Sequence, residues 1–354
     1  MIDWVNNQYV VIFAKNLESQ MDSETLAERM IGESGSFLQM QEHVSRLAPL
    51  NKPVLIIGER GTGKELVASR LHYLSQRWEN PFLKINCASF NEALLESQLF
   101  GHEAGAFTGA TKQQKGYFER ADQGTLFLDE LATTSMAVQE RILRITEYGE
   151  LERLGGNQPI QVDVRLIAAT NVDLPELAEQ GKFREDLLDR LAFDVITLPP
   201  LRERIEDIPV LAQHFAIQMI KELNREFFPG FSKTAARQLL DYAWPGNIRE
   251  LKNVVERAIY QSEEPDQPIR EIVFDPFESP YRPARKKDAS RALPKAGSKN
   301  FKDQIQDIEI ALIRDALEQC QFNQRKTAKL LGLSYDQLRG YLRKYDKALG
   351  SASV

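Results

Sequence analysis

A glycine-rich segment near the start of the chain follows an apolar run and ends in a lysine. Val54–Ile57 leads into the sequence GERGTGKE, whose members are Gly58, Glu59, Arg60, Gly61, Thr62, Gly63, Lys64 and Glu65. Glycines let backbone N–H groups curl around phosphate oxygens, and the positive end of a following helix attracts the same anion. The lysine reaches the β- and γ-phosphates in such loops. The segment predicts ATP binding, and the alternative is a glycine-rich turn that binds no ligand.

A second apolar run ends in two adjacent carboxylates, Asp129 and Glu130. In phosphoryl transfer to water, one carboxylate holds Mg²⁺ and another orients and deprotonates the attacking water. We expect Asp129 to hold Mg²⁺ through water and Glu130 to act on the attacking water. The loop departs from the usual pattern because Glu65 stands where Ser or Thr usually contacts Mg²⁺, and Thr62 does not fill that position. The alternative is a carboxylate pair that caps the next helix.

The elements that must position these residues can be read from apolar runs between Met30 and Pro199. Five short runs alternate with helix-length segments, which predicts a parallel sheet with helices on both faces. The predicted strands are Val54–Ile57, Phe82–Asn86, Thr125–Leu128, Val164–Ala168 and Phe193–Thr197. From Leu201 to about Ser262 apolar residues recur at helical spacing, which predicts a smaller all-helical subdomain.

Composition divides the chain further. Residues 1–29 have no assigned role, 30–199 form the predicted α/β ATPase subdomain, and 200–262 the helical lid. Six prolines and many charges between 263 and 300 predict a linker. Residues 301–347 are predicted to form a helical domain, followed by a tail at 348–354.

The C-terminal domain has the pattern of a helix-turn-helix. Predicted helices Gln324–Leu331 and Tyr335–Tyr345 flank a turn with Gly332 and the N-cap residue Ser334, and a preceding helix, Ile305–Gln319, carries an apolar face of Ile305, Ile308, Leu312 and Ala316. From Arg282 to Lys347 there are 16 Lys and Arg against 8 Asp and Glu, within a chain of net charge −6. This basic region predicts DNA binding, and the alternative is a basic solvated hairpin. The candidate DNA contacts are Arg325, Lys326, Ser334, Tyr335, Gln337, Arg339, Arg343 and Lys344.

Composition excludes several other classes of protein. The chain of 354 residues is 42% hydrophobic and contains only two cysteines, far apart, so a disulfide framework is excluded. The four histidines show no metal-ligand spacing. No apolar run approaches the roughly 20 residues of a membrane span, and no signal peptide is recognisable. We therefore expect a cytoplasmic protein that does not insert into a membrane.

Three further motifs carry a resemblance to a known family. Residues 105–110 read GAFTGA, Leu198–Pro209 reads LPPLRERIEDIP, and Trp244–Leu251 reads WPGNIREL. Together with the phosphate loop they resemble bacterial enhancer-binding proteins, the AAA+ activators of sigma-54 RNA polymerase. The resemblance implies an AAA+ P-loop ATPase fold with a helical lid and a C-terminal Fis-type helix-turn-helix. It also implies that sigma-54 is contacted through Gly105, Phe107, Thr108 and Gly109.

The resemblance also implies roles for single residues near the nucleotide. It implies that Asn86 holds the catalytic Glu until the ring is ready, that Thr170 and Asn171 sense the γ-phosphate, and that the lid senses the nucleotide through Arg249. Arg184 and Arg190 resemble arginine fingers that enter a neighbouring subunit's site. The alternative for these arginines is helix-surface ion pairs, and for Arg249 a salt bridge with Glu250 or a neighbour.

For the whole protein, the resemblance implies a hexamer, of lower order when inactive, that binds upstream DNA and opens sigma-54 promoters with ATP. About 30 residues precede the ATPase, which we expect to be too few for a receiver or ligand-sensing domain. This arrangement resembles activators of phage-shock operons, which a separate negative regulator restrains in trans. The alternatives are a remodelling ATPase without a role in transcription, a DNA-binding scaffold with an inactive ATPase, and an activator of another operon. The GAFTGA loop disfavours the first, and the intact Lys64, Asp129 and Glu130 disfavour the second.

Overall fold

The computed structural model describes residues 30–262, 264–277, 281–282 and 323–345, with 306, 309, 310, 312–314, 316, 317 and 320 between them. The chain divides into two compact units, residues 1–276 and 277–354. None of the helices in the described ranges is both long enough and apolar enough to cross a membrane.

A five-stranded parallel sheet forms the centre of the first unit, in the order β2-β3-β6-β1-β7. These strands are β1 Val54–Ile57, β2 Phe82–Asn86, β3 Thr125–Asp129, β6 Arg165–Thr170 and β7 Val195–Thr197, and a separate antiparallel pair joins β4 Glu150–Leu151 to β5 Ile160–Gln161. The first two predicted strands are correct to the residue. The third and fourth extend further at the carboxyl end, and the last begins later, at Val195.

Helices cover both faces of the sheet, as predicted. The helices of the α/β region are α1 Gly35–Leu47, α2 Lys64–Tyr73, α3 Glu92–Phe100, α4 Tyr117–Arg120, α5 Met136–Tyr148, α6 Leu174–Glu179 and α7 Glu185–Leu191. Val54 and Ile56 pack in one buried cluster with α1 and α2, whereas Leu55 packs in the other with α3, α5 and α7. Successive residues of a strand point to opposite faces, so both faces of β1 are buried and its apolar run is continuous.

The lid follows the last strand. It contains a short 3-10 helix, Leu201–Glu203, and the helices α8 Asp207–Glu222, α9 Lys233–Asp241 and α10 Asn247–Tyr260. Its core surrounds Trp244, which is fully buried and donates its indole N–H to the carbonyl oxygen of Leu239 at 2.9 Å. The indole N–H therefore has the partner that a buried polar group needs.

The second unit contains the two predicted C-terminal helices, α11 Gln324–Leu330 and α12 Tyr335–Lys344. The described residues of the preceding segment that are helical include 312–314. Ile313 and Leu317 are buried with Leu338 and Leu342, whereas Leu312 is only half-buried. Of the predicted apolar face, Ala316 is buried as expected and Leu312 is not, while Ile305 and Ile308 lie outside the described residues.

Candidate functional site

The phosphate-loop sequence connects the carboxyl end of β1 to the amino end of α2. Gly61 and Gly63 have φ angles of 78° and 99°, in the left-handed region that glycine adopts without strain. A Cβ on Gly61 would lie 2.3 Å from the carbonyl oxygen of Gly246 in the lid. Within the described chain, the N–H groups of Gly61, Gly63, Lys64 and Glu65 donate no hydrogen bond. These donors form a concave group at a helix N-terminus, which suits an anion.

Lys64 is 8% exposed at the inner side of this loop. Its Nζ donates to the carbonyl oxygens of Gly58 at 2.9 Å and Glu59 at 3.3 Å. Burial lowers the pKa of Lys64, and the negative charges of Asp129 and Glu130 act in the opposite direction. The lysine and the two carboxylates therefore share one charged site.

Asp129 is the last residue of β3, and Glu130 follows it directly. Asp129 Oδ2 accepts a hydrogen bond from Asn86 Nδ2 at 3.2 Å, and its Oδ1 accepts from the backbone N–H of Glu130 at 2.9 Å. The resemblance implied that Asn86 holds Glu130, but the structure places it on Asp129 instead. The physical reason is the register of the sheet, because Asn86 on β2 pairs with Asp129 on β3.

Glu130 turns away from Asn86 and faces β6. Its φ is 53°, so its side chain leaves the line of the strand. Asn171 follows β6, and with its amide nitrogen towards Glu130 it donates to Oε2 at 2.9 Å and accepts from Arg60 Nε at 3.3 Å. Arg60 Nε also lies 4.0 Å from Glu130 Oε1. The carboxylate thus contacts one residue of the loop and one residue that follows a neighbouring strand.

Thr170 is fully buried at the end of β6. Its carbonyl oxygen accepts from the N–H of Gly58 at 3.2 Å, and its hydroxyl oxygen accepts from the N–H of Val172 at 3.2 Å. Thr170 therefore joins β6 to the first glycine of the phosphate loop, and its neighbour Asn171 carries the contact with Glu130.

Arg184 is the residue before α7 and Arg190 lies in its last turn, and both form ion pairs within the chain. Arg184 contacts Asp186 at 2.8 Å and Glu140 at 3.5 Å, and Arg190 contacts Glu147 at 3.0 Å. The hydrogen bond to Asp186 raises the pKa of Arg184, which stays charged. In the single chain, both arginines therefore form the helix-surface ion pairs that were the alternative to arginine fingers. Such exposed pairs contribute about 0–1 kcal/mol, so a stronger anionic partner can replace them.

The lid contacts the phosphate loop directly. Arg202 donates to both carboxylate oxygens of Glu59, at 2.9 and 2.6 Å, and Asn247 donates to Oε2 at 3.1 Å. The hydrogen bonds from Arg202 and, to a smaller extent, from Asn247 together lower the pKa of Glu59 to about 2. Glu250 accepts from the N–H of Gly246 and the hydroxyl of Tyr242. Among the described residues Glu250 has no ion pair with Arg249, so the salt bridge considered above is not formed.

Glu65, at the position of the usual Mg²⁺ ligand, is turned to the side of the loop. Its carboxylate pairs with Lys84 of β2 at 3.1 Å. The hydroxyl of Thr62 donates to the carbonyl oxygen of Glu59 at 2.8 Å. Neither side chain supplies a hydroxyl ligand for a metal, and no cluster of three or more His, Cys, Asp or Glu in the described ranges is arranged to hold one.

The GAFTGA segment is an exposed loop, and salt bridges join the residues at its base. Phe107, Thr108 and Gly109 are exposed, and the ring of Phe107 rests edge-on against His102 with the centroids 5.0 Å apart. At the base Arg153 pairs with Glu103 and Glu119, each at 2.8 Å. Gly105 and Gly109 have φ angles of 85° and 104°, and a Cβ on either would meet nothing within 4 Å. The aromatic ring of Phe107 is thus exposed at the tip of the loop, and within the described chain there is free space beside Gly105 and Gly109.

The helix-turn-helix presents its basic residues on the surface. Arg325, Lys326, Arg339, Arg343 and Lys344 are all exposed. Arg325 and Arg339 each lie 5.9 Å from the ring of Tyr335, so one residue from each helix meets at the start of α12. Lys344 also pairs with Glu309 at 3.5 Å.

Two of the predicted DNA contacts, Ser334 and Gln337, also cap α12. The hydroxyl of Ser334 accepts from the N–H of Gln337 at 3.2 Å, while Gln337 Oε1 accepts from the N–H of Ser334 at 2.9 Å. This reciprocal pair is a capping box. Ser334 and Gln337 are therefore engaged at the helix terminus, and both residues are exposed.

The structure brings most of the predicted nucleotide residues to one edge of the sheet, because the carboxyl ends of β1, β2, β3 and β6 meet there. Arg184 and Arg190 lie apart from this cluster. Arg202, Arg204 and Asn247 were missed as site residues. They lie within the two lid motifs, LPPLRERIEDIP and WPGNIREL, and the polar side chains inside those motifs were the only signal available.

Comparisons with known proteins agree with this geometry. The sequence model of the sigma-54 interaction domain matches residues 30–197, that of an AAA+ ATPase lid domain matches 202–289, and that of the Fis family of bacterial regulatory proteins matches 304–345. The Psp operon transcriptional activator of Escherichia coli K12 is 58% identical over 319 residues, which cover 90% of this chain and 98% of that protein. Regulatory protein AtoC of the same organism is 43% identical over 88% of this chain and 66% of its own length.

Solved structures show the same architecture. NtrX from Brucella abortus in complex with ADP has a TM-score of 0.66 at 29% identity, covering 95% of this chain and 74% of that one. The same protein in complex with ATP gives a TM-score of 0.65 with the same identity and coverage.

Proposed function

The chain belongs to the sigma-54-dependent transcription activators, and from this premise we propose that it couples ATP hydrolysis to opening of the sigma-54 RNA polymerase closed complex. The observation that carries the proposal is the joint presence, in one α/β domain, of a phosphate loop beside two carboxylates and an exposed loop with Phe107 at its tip. The first part can split ATP and the second can contact a partner. The C-terminal helix-turn-helix holds the activator on upstream DNA.

ATP is the nucleotide substrate, with its phosphates received by Lys64 and the free N–H groups of the loop. Mg²⁺ fits this site through Asp129, whose carboxylate is half-buried and positioned by Asn86. The residue after Lys64 is Glu65, so the chain has no hydroxyl there, and Asp129 would hold the ion through water. When bound, Mg²⁺ neutralises charge that develops on the phosphates.

Glu130 is the general base that takes a proton from the attacking water. Asn171 supports this role because its amide donates to Glu130 Oε2 and so fixes the orientation of the carboxylate. With Thr170 beside it on the same strand end, Asn171 is also placed to respond to the γ-phosphate. Asn86 acts on the pair through Asp129, and Arg249 completes the site from the lid.

Assembly into a ring, of which the active form is a hexamer and the resting form a lower oligomer, supplies the remaining positive charge. Arg184 and Arg190 enter the site of the neighbouring subunit, where an arginine stabilises charge on the transferred phosphoryl group. Their pairs with Glu140 and Glu147 are exposed and weak, so both arginines can exchange these carboxylates for phosphate oxygens in the ring.

The GAFTGA loop couples ATP hydrolysis to sigma-54. Gly105 and Gly109 allow the loop to move, while Phe107 and Thr108 form the contact. A large apolar side chain at a mobile tip is typical of a binding contact.

The target promoters are of the phage-shock type, on the evidence of the relative that activates the psp operon. In this arrangement a separate protein acting in trans restrains the activator. Arg325, Arg339 and Arg343 contact the DNA with Lys326, Lys344 and Tyr335.

The test is to separate hydrolysis from output by Phe107→Ala. The variant is expected to hydrolyse ATP at the wild-type rate but to lose binding to sigma-54 and promoter opening, measured with purified sigma-54 RNA polymerase. Leu38→Ala is the matched control, because Leu38 is similarly exposed on α1. Normal promoter opening by Phe107→Ala would show that the loop tip is not the contact.

A further inference from the structure

The lid holds three successive carbonyl groups of the phosphate loop. The carbonyl oxygen of Arg60 accepts from Asn247 Nδ2 at 3.1 Å, and that of Gly61 accepts from the backbone N–H of Ile248 at 3.0 Å. The carbonyl oxygen of Thr62 accepts from Arg204 Nη2 at 3.3 Å. All three donors belong to the lid, at the start of α10 or after the 3-10 helix.

These contacts bear on how the loop receives phosphate. A carbonyl oxygen turned into the loop would repel a phosphate oxygen, whereas a carbonyl turned to the lid leaves the N–H groups facing the anion. The N–H of Gly61 is one of the loop donors without an acceptor in the described chain, and its own carbonyl is held by Ile248. The same backbone conformation therefore turns the carbonyl groups towards the lid and leaves the N–H groups available to an anion.

Glu59 fixes the start of the same segment. Its carboxylate receives a bidentate pair from Arg202 and a third bond from Asn247. Bidentate arginine–carboxylate pairs are geometrically specific as well as strong. The carboxylate thus ties the second residue of the loop to the same two lid segments that hold the following three carbonyls.

The lid donors are themselves rigidly placed. Asn247 is fully buried, and its Oδ1 accepts from the N–H of Leu201 at 2.8 Å. Its φ is 52°, in the left-handed region that asparagine tolerates better than most residues. Arg204 is 2% exposed beside Asp207, whose carboxylate also binds the backbone of Ser34. Asn247 is therefore held within the lid, and Arg204 is held beside Asp207, which itself binds the residue before α1.

We propose that Asn247, Arg202 and Arg204 are positioning residues, which set the phosphate loop in the conformation that receives the β- and γ-phosphates. The affinity for di- and triphosphates is then controlled by lid residues that contact the loop. This inference rests on the proposed function, because it concerns the same nucleotide site.

The sharpest test uses Asn247→Asp. Aspartate keeps the oxygen that accepts from Leu201 and tolerates the backbone conformation, but it cannot donate to Arg60 or Glu59. With the loss of two hydrogen bonds, the dissociation constant for ADP is expected to rise roughly tenfold. The affinity for adenosine, measured by competition with fluorescent ADP, is expected to stay unchanged, because adenosine has no phosphates for the loop to hold.

The control is Arg237→Ala, which removes an exposed lid ion pair with Asp241 far from the loop sequence and is expected to change neither affinity. Equal weakening of ADP and adenosine by Asn247→Asp would overturn the proposal, since it would indicate general damage to the lid. Unchanged ADP affinity would overturn it as well. Failure of the wild-type protein to bind ADP better than adenosine would instead contradict the nucleotide site itself.

Arg202→Ala provides a second test if Asn247→Asp does not fold. Arg202 is 45% exposed at its side chain, so its removal leaves the lid core intact. With Glu59→Gln it forms a double-mutant cycle, in which the two losses of ADP affinity are expected to be strongly non-additive. Additive losses would show that the pair does not position the loop.

Discussion

The substitution Glu130→Gln tests the chemistry of the site most directly. Glutamine has nearly the shape of glutamate, and its Oε1 can still accept the hydrogen bond that Asn171 donates at 2.9 Å. It cannot take a proton from water. The variant therefore removes the base while keeping its surroundings.

The expected effects on rate and on affinity differ widely in size. Loss of a general base lowers turnover by about 10²–10⁴-fold, or about 3–5 kcal/mol in the activation barrier. The charge lost beside Arg60 has little effect on affinity, because Arg60 Nε is 4.0 Å from Oε1 and its side chain is 76% exposed. An ion pair of this kind contributes about 0–1 kcal/mol. ATP affinity is thus expected to change by less than about fivefold.

Turnover is measured as phosphate release at saturating ATP, and affinity by titration with a fluorescent ATP analogue. Glu176→Gln is the matched control, because it makes the same chemical change at an exposed position on α6. Turnover in Glu130→Gln above a tenth of the wild-type rate would refute the assignment of Glu130 as the base. A loss of ATP affinity as large as the loss of turnover would show that the carboxylate serves binding instead.

Two further predictions concern assembly and DNA. Mixing Arg190→Ala subunits with Lys64→Ala subunits is expected to restore part of the ATPase activity that each lacks, because each completes the other's site; activity that stays absent at every mixing ratio would contradict fingers acting in trans. Arg339→Ala is expected to weaken binding to specific DNA, by about 1–3 kcal/mol if Arg339 contacts a guanine edge, as measured by fluorescence anisotropy against a scrambled site. An equal loss on both DNAs would assign Arg339 to the phosphates.

Much of the fold was predictable because it depends on local patterns. Strands of a parallel sheet are buried on both faces, so they are continuous apolar runs that need no knowledge of their neighbours. This explains why Val54–Ile57, in the interior of the sheet, was predicted to the residue. Phe82–Asn86 is an edge strand that is only half-buried at most positions, so this reason does not apply to it. The phosphate loop was also predictable, since its glycines and Lys64 lie close together in the chain. The glycines are the residues that the backbone conformation of such a loop requires.

The helix-turn-helix shows where local patterns become ambiguous. Charge and turn chemistry predicted the two helices and their basic surface. The role of a single polar residue was less certain, because Gln337 can contact a base or cap its own helix. The structure shows the cap, in which Gln337 Oε1 accepts a hydrogen bond from the N–H of Ser334, and contact of Gln337 with DNA stays a prediction.

By itself the sequence determined the class of fold and the position of the phosphate-loop motif, and it predicted roles for the two carboxylates at the carboxyl end of β3. Only the tertiary structure decided which side chains from distant parts of the chain form hydrogen bonds with each other. The partner of Asn86 is Asp129 because the register of β2 and β3 sets the two level, and no spacing within the chain contains that register. The contact between Asn247 and Arg60 joins residues 187 positions apart. Such contacts depend on how the lid packs on the sheet, so the control of the phosphate loop became visible only in the folded chain.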